Sequence, residues 1–147
     1  MTSVPRTMIA LSLLLIACGG GGGEPPHPSP SPRPSTYAQQ LLGGLERSAI
    51  ERTRSDMNAV RTAILAYASA GGELQPAGDY ARLAALIAPT YIRVPPPRDA
   101  WGNAFVFTST ETGWTLTAPG ADGGIGTGDD IVLGEGGFTK LPDGYRP

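Results

Sequence analysis

The chain has one cysteine, Cys18, and one histidine, His27. A single thiol excludes an intramolecular disulfide, so the fold must be held by its core. Beyond position 27 there is neither residue, so the foldable part lacks a thiol nucleophile and an imidazole base. A surplus of charge of one sign is also missing. Eleven basic residues against 13 acidic ones give a net charge of −2, with no basic excess to hold nucleic acid and no acidic tail. No apolar run is long enough to span a bilayer. Glycine (21 residues) and proline (15) are abundant, together about a quarter of the chain, and they concentrate in two places. The 147 residues allow roughly one domain, and part of that length cannot fold.

The first of those places follows the N-terminus. Residues 1–18 place one charge, Arg6, before an apolar run from Met8 to Ala17, the size of a secretory signal core. The run ends Leu15-Ile16-Ala17-Cys18, which resembles the lipobox of bacterial lipoproteins. On that reading Cys18 is lipidated and several acyl chains hold the protein on the membrane, where one would be marginal. The alternative is ordinary cleavage near Ala17 beside an unpaired thiol. Gly19, where an aspartate would retain a lipoprotein in the inner membrane, points to the outer membrane facing the periplasm. Residues 19–35 hold five glycines and then a proline-alternating stretch, a tether of flexible coil and extended chain. A proline-rich recognition segment is the other reading of that stretch. His27 lies in it without partners and is given no role.

Residues 36–147 form the foldable domain. Thr36 to Ala70 reads as a helix capped by Ser35 or Thr36, with a bend or late start at Gly43-Gly44, since each glycine costs about 1 kcal/mol relative to alanine. Met57, Val60, Ile64 and Tyr67 make a core stripe, extended by Ala49, Ile50 and Ala68. Arg47 with Glu51 and Arg52 with Asp56 are spaced as i, i+4 ion pairs. Asp79 caps a short second helix over Tyr80–Ala88, stopped by Pro89, and Pro95-Pro96-Pro97 makes a stiff connection. Ala104–Thr108 and Trp114–Ala118 read as a hairpin turning at Thr110–Gly113, and Ile131–Leu133 as a third strand. Phe138 anchors the end. The fold class is therefore α+β: a long N-terminal amphipathic helix on a small antiparallel sheet of about three strands.

The second glycine-rich place is the loop Gly120–Ile131, with carboxylates at Asp122, Asp129 and Asp130. Glycines free the backbone to turn carbonyls inward, and oxygen ligands on such a loop suit a hard cation such as Ca²⁺. The spacing is not that of an EF-hand, one Gly-Gly-x-Gly piece cannot stack into a β-roll, and carboxylates without a Lys-Ser/Thr pair exclude a phosphate loop. The chemistry leaves two readings, a Ca²⁺ clamp and a solvated turn. An acid/base role would need a carboxylate of raised pKa, which an open loop gives no reason to expect, so the domain reads as non-enzymatic, with no small-molecule substrate.

The order of these features resembles the periplasmic domain of the major pseudopilin of type II secretion systems, over about Ser48 to Phe138. The resemblance rests on Asp99-Ala100-Trp101-Gly102-Asn103, similar to the family's Asp-Pro-Trp-Gly-Asn, and on Gly120-Ala121-Asp122-Gly123 followed by Asp129-Asp130-Ile131. Asp56, Ala63, Leu65 and Tyr67 fit its helical pattern. It implies a pilin-like fold and a structural Ca²⁺ held by the side chains of Asp122, Asp129 and Asp130 and by main-chain oxygens near Pro119, Ile125 and Thr127. It also implies protein partners in a secretion or pilus-like apparatus. The family's prepilin signal and long apolar helix are missing, replaced by the lipobox and tether, so filament building does not carry over with the rest.

Overall fold

The computed structural model describes residues 36–147. The expected signal at residues 1–18, its Cys18, and the tether at 19–35 lie outside the described residues. Among the described residues no helix is long and apolar enough to cross a membrane.

The first helix, α1 (Thr36–Ser69), runs without a break through Gly43-Gly44, so the expected late start is absent. Two glycines lower helix propensity, but Leu41, Leu42, Leu45, Glu46 and Arg47 beside them are good helix formers. Ile50, Thr53, Met57, Val60, Ala63 and Ile64 are buried, one stripe at helical spacing. Tyr67 is half-buried against it, whereas Ala68 faces solvent. The helix before Ile50 is different: Tyr37, Leu41, Leu42 and Leu45 are all more than half exposed. Among the described residues the ion pair within α1 is Glu51 with Arg54 at 3.1 Å; neither of the expected pairs, Arg47–Glu51 and Arg52–Asp56, forms.

Helix α2 (Tyr80–Ile87) begins where the Asp79 side chain accepts a hydrogen bond from the Arg82 backbone N–H. That satisfies one of the amides that a helix start leaves free. It ends at Ala88, which is extended, as the residue before a proline prefers. Leu83 and Ile87 are fully buried.

The sheet is an antiparallel meander of four strands: β1 (Val106–Thr110), β2 (Gly113–Ala118), β3 (Ile131–Gly134) and β4 (Gly137–Lys140), in that order. The sequence pattern shows about three strands; β4 is the addition. It is four residues long and begins on a glycine, too short to display a period, and it forms because β3 offers it a paired edge. Leu116, Ile131 and Leu133 point into the core beneath α1 and α2, with Phe105, Phe107 and Trp114 around them. The tail returns to α1. Phe138 is half-buried under the Arg54 guanidinium, 5.1 Å from its ring centroid, and Tyr145 lies beside it at 5.4 Å. The Tyr145 hydroxyl donates to Glu51 and accepts from Arg54 Nη1 at 2.7 Å. The bond to Glu51 holds its phenol above the usual range.

Candidate metal centre

The acidic loop leaves the sheet at Ala118 and returns at Ile131, and those two residues pair across β2 and β3. Its base is therefore fixed by the sheet. Its first turn is fixed by a second device, the Asp99–Asn103 turn. The buried Asp99 carboxylate accepts from the backbone N–H of Trp101 at 3.0 Å and of Asn103 at 2.8 Å through Oδ1, and from Gly120 N at 3.2 Å through Oδ2. Asn103 Nδ2 donates to the Gly120 carbonyl at 2.6 Å. The turn needs a positive φ at Gly102, which is +94°. Behind it, Ala100 N donates to Thr53 Oγ1 of α1 at 3.1 Å. A continuous path of hydrogen bonds thus runs from the core face of α1 to the start of the loop. Gly120 itself has φ +75°, and a Cβ there would lie 2.5 Å from the Asp129 backbone oxygen. Only glycine lets the two ends of the loop approach so closely.

The three carboxylates occupy two places. Asp122 is exposed; its Oδ1 accepts from Gly124 N at 2.7 Å and lies 3.3 Å from Thr127 Oγ1. Asp129 Oδ1 accepts from the same Thr127 hydroxyl at 2.6 Å, and its Oδ2 from Asp122 N at 2.9 Å. Asp122 and Asp129 therefore each bring an oxygen to one hydroxyl. The Thr127 bond first, and the Asp122 N–H second, hold the Asp129 carboxyl below the usual carboxylate range. Asp130 is turned the other way and is 2% exposed. Its Oδ2 accepts from Gly126 N at 2.7 Å and meets Lys140 Nζ at 3.3 Å, while its Oδ1 is buried without a hydrogen-bond partner.

Of the main-chain positions, the Thr127 carbonyl is taken by Lys140 Nζ. Pro119 is buried at the loop's base, and Ile125 is exposed at its outer part. The loop thus assembles Asp122, Asp129 and Thr127 on one side and Asp130 with the Thr127 carbonyl on the other. Among the described residues no three Asp, Glu, His or Cys side chains converge on one point. The donors are nevertheless hard oxygens, and the spare buried oxygen of Asp130 is what a cation would satisfy. On donor chemistry the residues fit Ca²⁺.

Two contributors have no signal at this loop in the sequence. Lys140 reaches it from β4, and Asp143 N donates to the Gly128 carbonyl at 2.8 Å from the tail. Both lie in a stretch whose glycines and prolines read as an irregular end. Comparison with family models, with curated proteins and with solved structures finds no match to this chain.

Proposed function

We propose that this is a non-enzymatic, lipid-anchored domain similar to the periplasmic part of a major pseudopilin, stabilised by a structural Ca²⁺. On this reading it is an accessory or partner-binding component of a type II secretion or pilus-like system, held through Cys18 on the outer membrane and facing the periplasm. The reading is supported above all by the coupling of the Asp99 turn to the loop. The motif and the acidic loop that together carry the resemblance are joined by two hydrogen bonds, from Gly120 N to Asp99 Oδ2 at 3.2 Å and from Asn103 Nδ2 to the Gly120 carbonyl at 2.6 Å. The resemblance assigns the ion to Asp122, Asp129 and Asp130 with the Thr127 region; in this structure Asp130 is turned to Lys140, so binding requires the two sides of the loop to close on one point. The ion would supply charge neutralisation and nothing chemical.

The test is a thermal melt of the protein in chelator and in Ca²⁺. An ion that binds only the folded state raises stability by RT ln(1 + [Ca²⁺]/Kd), about 2.7 kcal/mol at a hundredfold excess over Kd. The melting temperature should fall in chelator and recover with Ca²⁺, and Asp122→Ala and Asp129→Ala should each abolish the recovery. A melt indifferent to both ion and substitution would rule out the metal. Palmitate labelling that is lost in Cys18→Ser tests the anchor, and pull-down from membranes tests the partner.

One observation favours a second reading, a true pilus-type structural subunit with an unusual anchor. Tyr37, Leu41, Leu42 and Leu45 make an apolar face on the first turns of α1 that no described residue covers. Cross-linking in membranes that traps a ladder of copies supports that reading; only monomer and one-to-one complexes count against it.

A further inference from the structure

The loop's compensating charge comes from outside it. Lys140 is the only lysine in the chain; the other ten basic residues are arginines. It ends β4 and pairs with Val132 of β3, where the register shifts between Val132 and Leu133. A shift there re-aims the side chain at the end of the strand. Its Nζ donates to the Thr127 carbonyl and lies 3.3 Å from Asp130 Oδ2.

Those are two of the oxygens that the calcium reading assigns to the ion. An ammonium is a compact charge with three donors, and a cation bound to the same oxygens at roughly 2.3–2.6 Å would stand beside it. Two like charges at such range repel strongly in a partly buried site. The Asp130 side chain is 3% exposed and that of Lys140 36%, so the ammonium has a way out to solvent while the carboxylate does not.

We propose that Lys140 is a tethered cation that competes with Ca²⁺ for the loop. Its ammonium closes the loop in the metal-free protein, and Ca²⁺ binds by displacing it from the Thr127 carbonyl and the Asp130 carboxylate. The inference rests on the calcium reading of the same loop. It adds that the affinity is set by a residue of β4 outside the acidic motif.

The test is calorimetric titration of the full-length chain with CaCl₂, after removal of bound metal, for wild type, Lys140→Met and Lys140→Gln. Methionine keeps the apolar stem; glutamine keeps a donor for the Thr127 carbonyl without charge. Both variants should bind Ca²⁺ at least tenfold more tightly than wild type. Both should also melt at a lower temperature in chelator, and regain more on adding Ca²⁺. If wild type binds Ca²⁺ and the variants bind with equal or weaker affinity, the competition is overturned and the calcium reading stands. If no form binds at millimolar Ca²⁺, both fall. If only the variants bind, the competition holds, but displacement in the wild type and the calcium reading of the natural protein both fall. Should one variant fail to fold, the other decides.

Discussion

Two aspartates are buried among the described residues, and they are buried for opposite reasons. Asp99, 6% exposed, has both oxygens filled by backbone N–H groups of its own turn and of Gly120. Asp130, 2% exposed, has one oxygen filled by Gly126 N and Lys140 and the other left empty. A carboxylate saturated by fixed amides is part of the scaffold, because nothing remains for a ligand to satisfy. A buried carboxylate with a spare oxygen and a movable cation has capacity left over. The comparison separates what positions the loop from what the loop could hold.

The largest expected effect lies on the scaffold side. Asp99→Ala removes the acceptor of three backbone N–H groups and frees the first turn of the loop. Hydrogen bonds to a charged group contribute about 1.5–3 kcal/mol each and are not additive, so a loss of about 3–5 kcal/mol is expected by denaturant unfolding. The loss should be the same in chelator before any ion is added. If Asp99→Ala instead unfolds like wild type, the division between the two aspartates is wrong.

Asp130→Ala comes next. It leaves Gly126 N without its acceptor and Lys140 with the Thr127 carbonyl alone, a loss of about 1–3 kcal/mol in chelator. Its distinguishing feature is that Ca²⁺ should restore none of the loss, whereas Thr53→Val should keep the full response to Ca²⁺. That second substitution removes the hydroxyl that receives Ala100 N at 3.1 Å and leaves the shape nearly unchanged. About 1–2 kcal/mol should be lost, equally with and without Ca²⁺. A Thr53→Val protein that lost its Ca²⁺ response would show that scaffold and loop are one unit.

What the sequence revealed of this arrangement follows the range of the forces. The Met57–Val60–Ile64 stripe, the Asp79 cap and the hairpin at Thr110–Gly113 are set by neighbours within a turn or two, so periodicity and turn chemistry disclose them. The acidic loop was visible as a cluster of carboxylates on glycines. Its internal division was not. Whether Asp130 faces Asp122 or Lys140 depends on β4, a four-residue strand whose pairing with Val132 and Leu133 leaves no local mark. In the same way Asp99 and Asn103 read as a turn, but their hold on Gly120 crosses two strands. The exposed apolar start of α1 could be read as helix; that nothing among the described residues covers it could not.

The smallest effect separates scaffold from loop by pH. Tyr80 is buried, and its hydroxyl donates to the Pro96 carbonyl, just before the Asp99 turn. Burial, and secondarily the charge of Asp56, raise its phenol well above the ordinary value near 10. A pKa raised in the folded state contributes stability that is fully present below the unfolded value and is lost as pH rises toward the folded one. Tyr80→Phe should therefore cost about 1 kcal/mol near neutrality, through the lost hydrogen bond. The gap between wild type and variant should then narrow as pH climbs above about 10, where the unfolded phenol ionises. Asp129 has the opposite sign, since a depressed carboxyl loses its contribution only as pH falls through the acid range. Unfolding curves of wild type, Tyr80→Phe and Asp129→Asn from about pH 3 to 11, in chelator, would assign the alkaline change to Tyr80 where it is lost in the first variant and the acid change to the loop where it shrinks in the second. An alkaline slope that survives Tyr80→Phe unchanged would assign it to some other group and remove Tyr80 from the support of the turn.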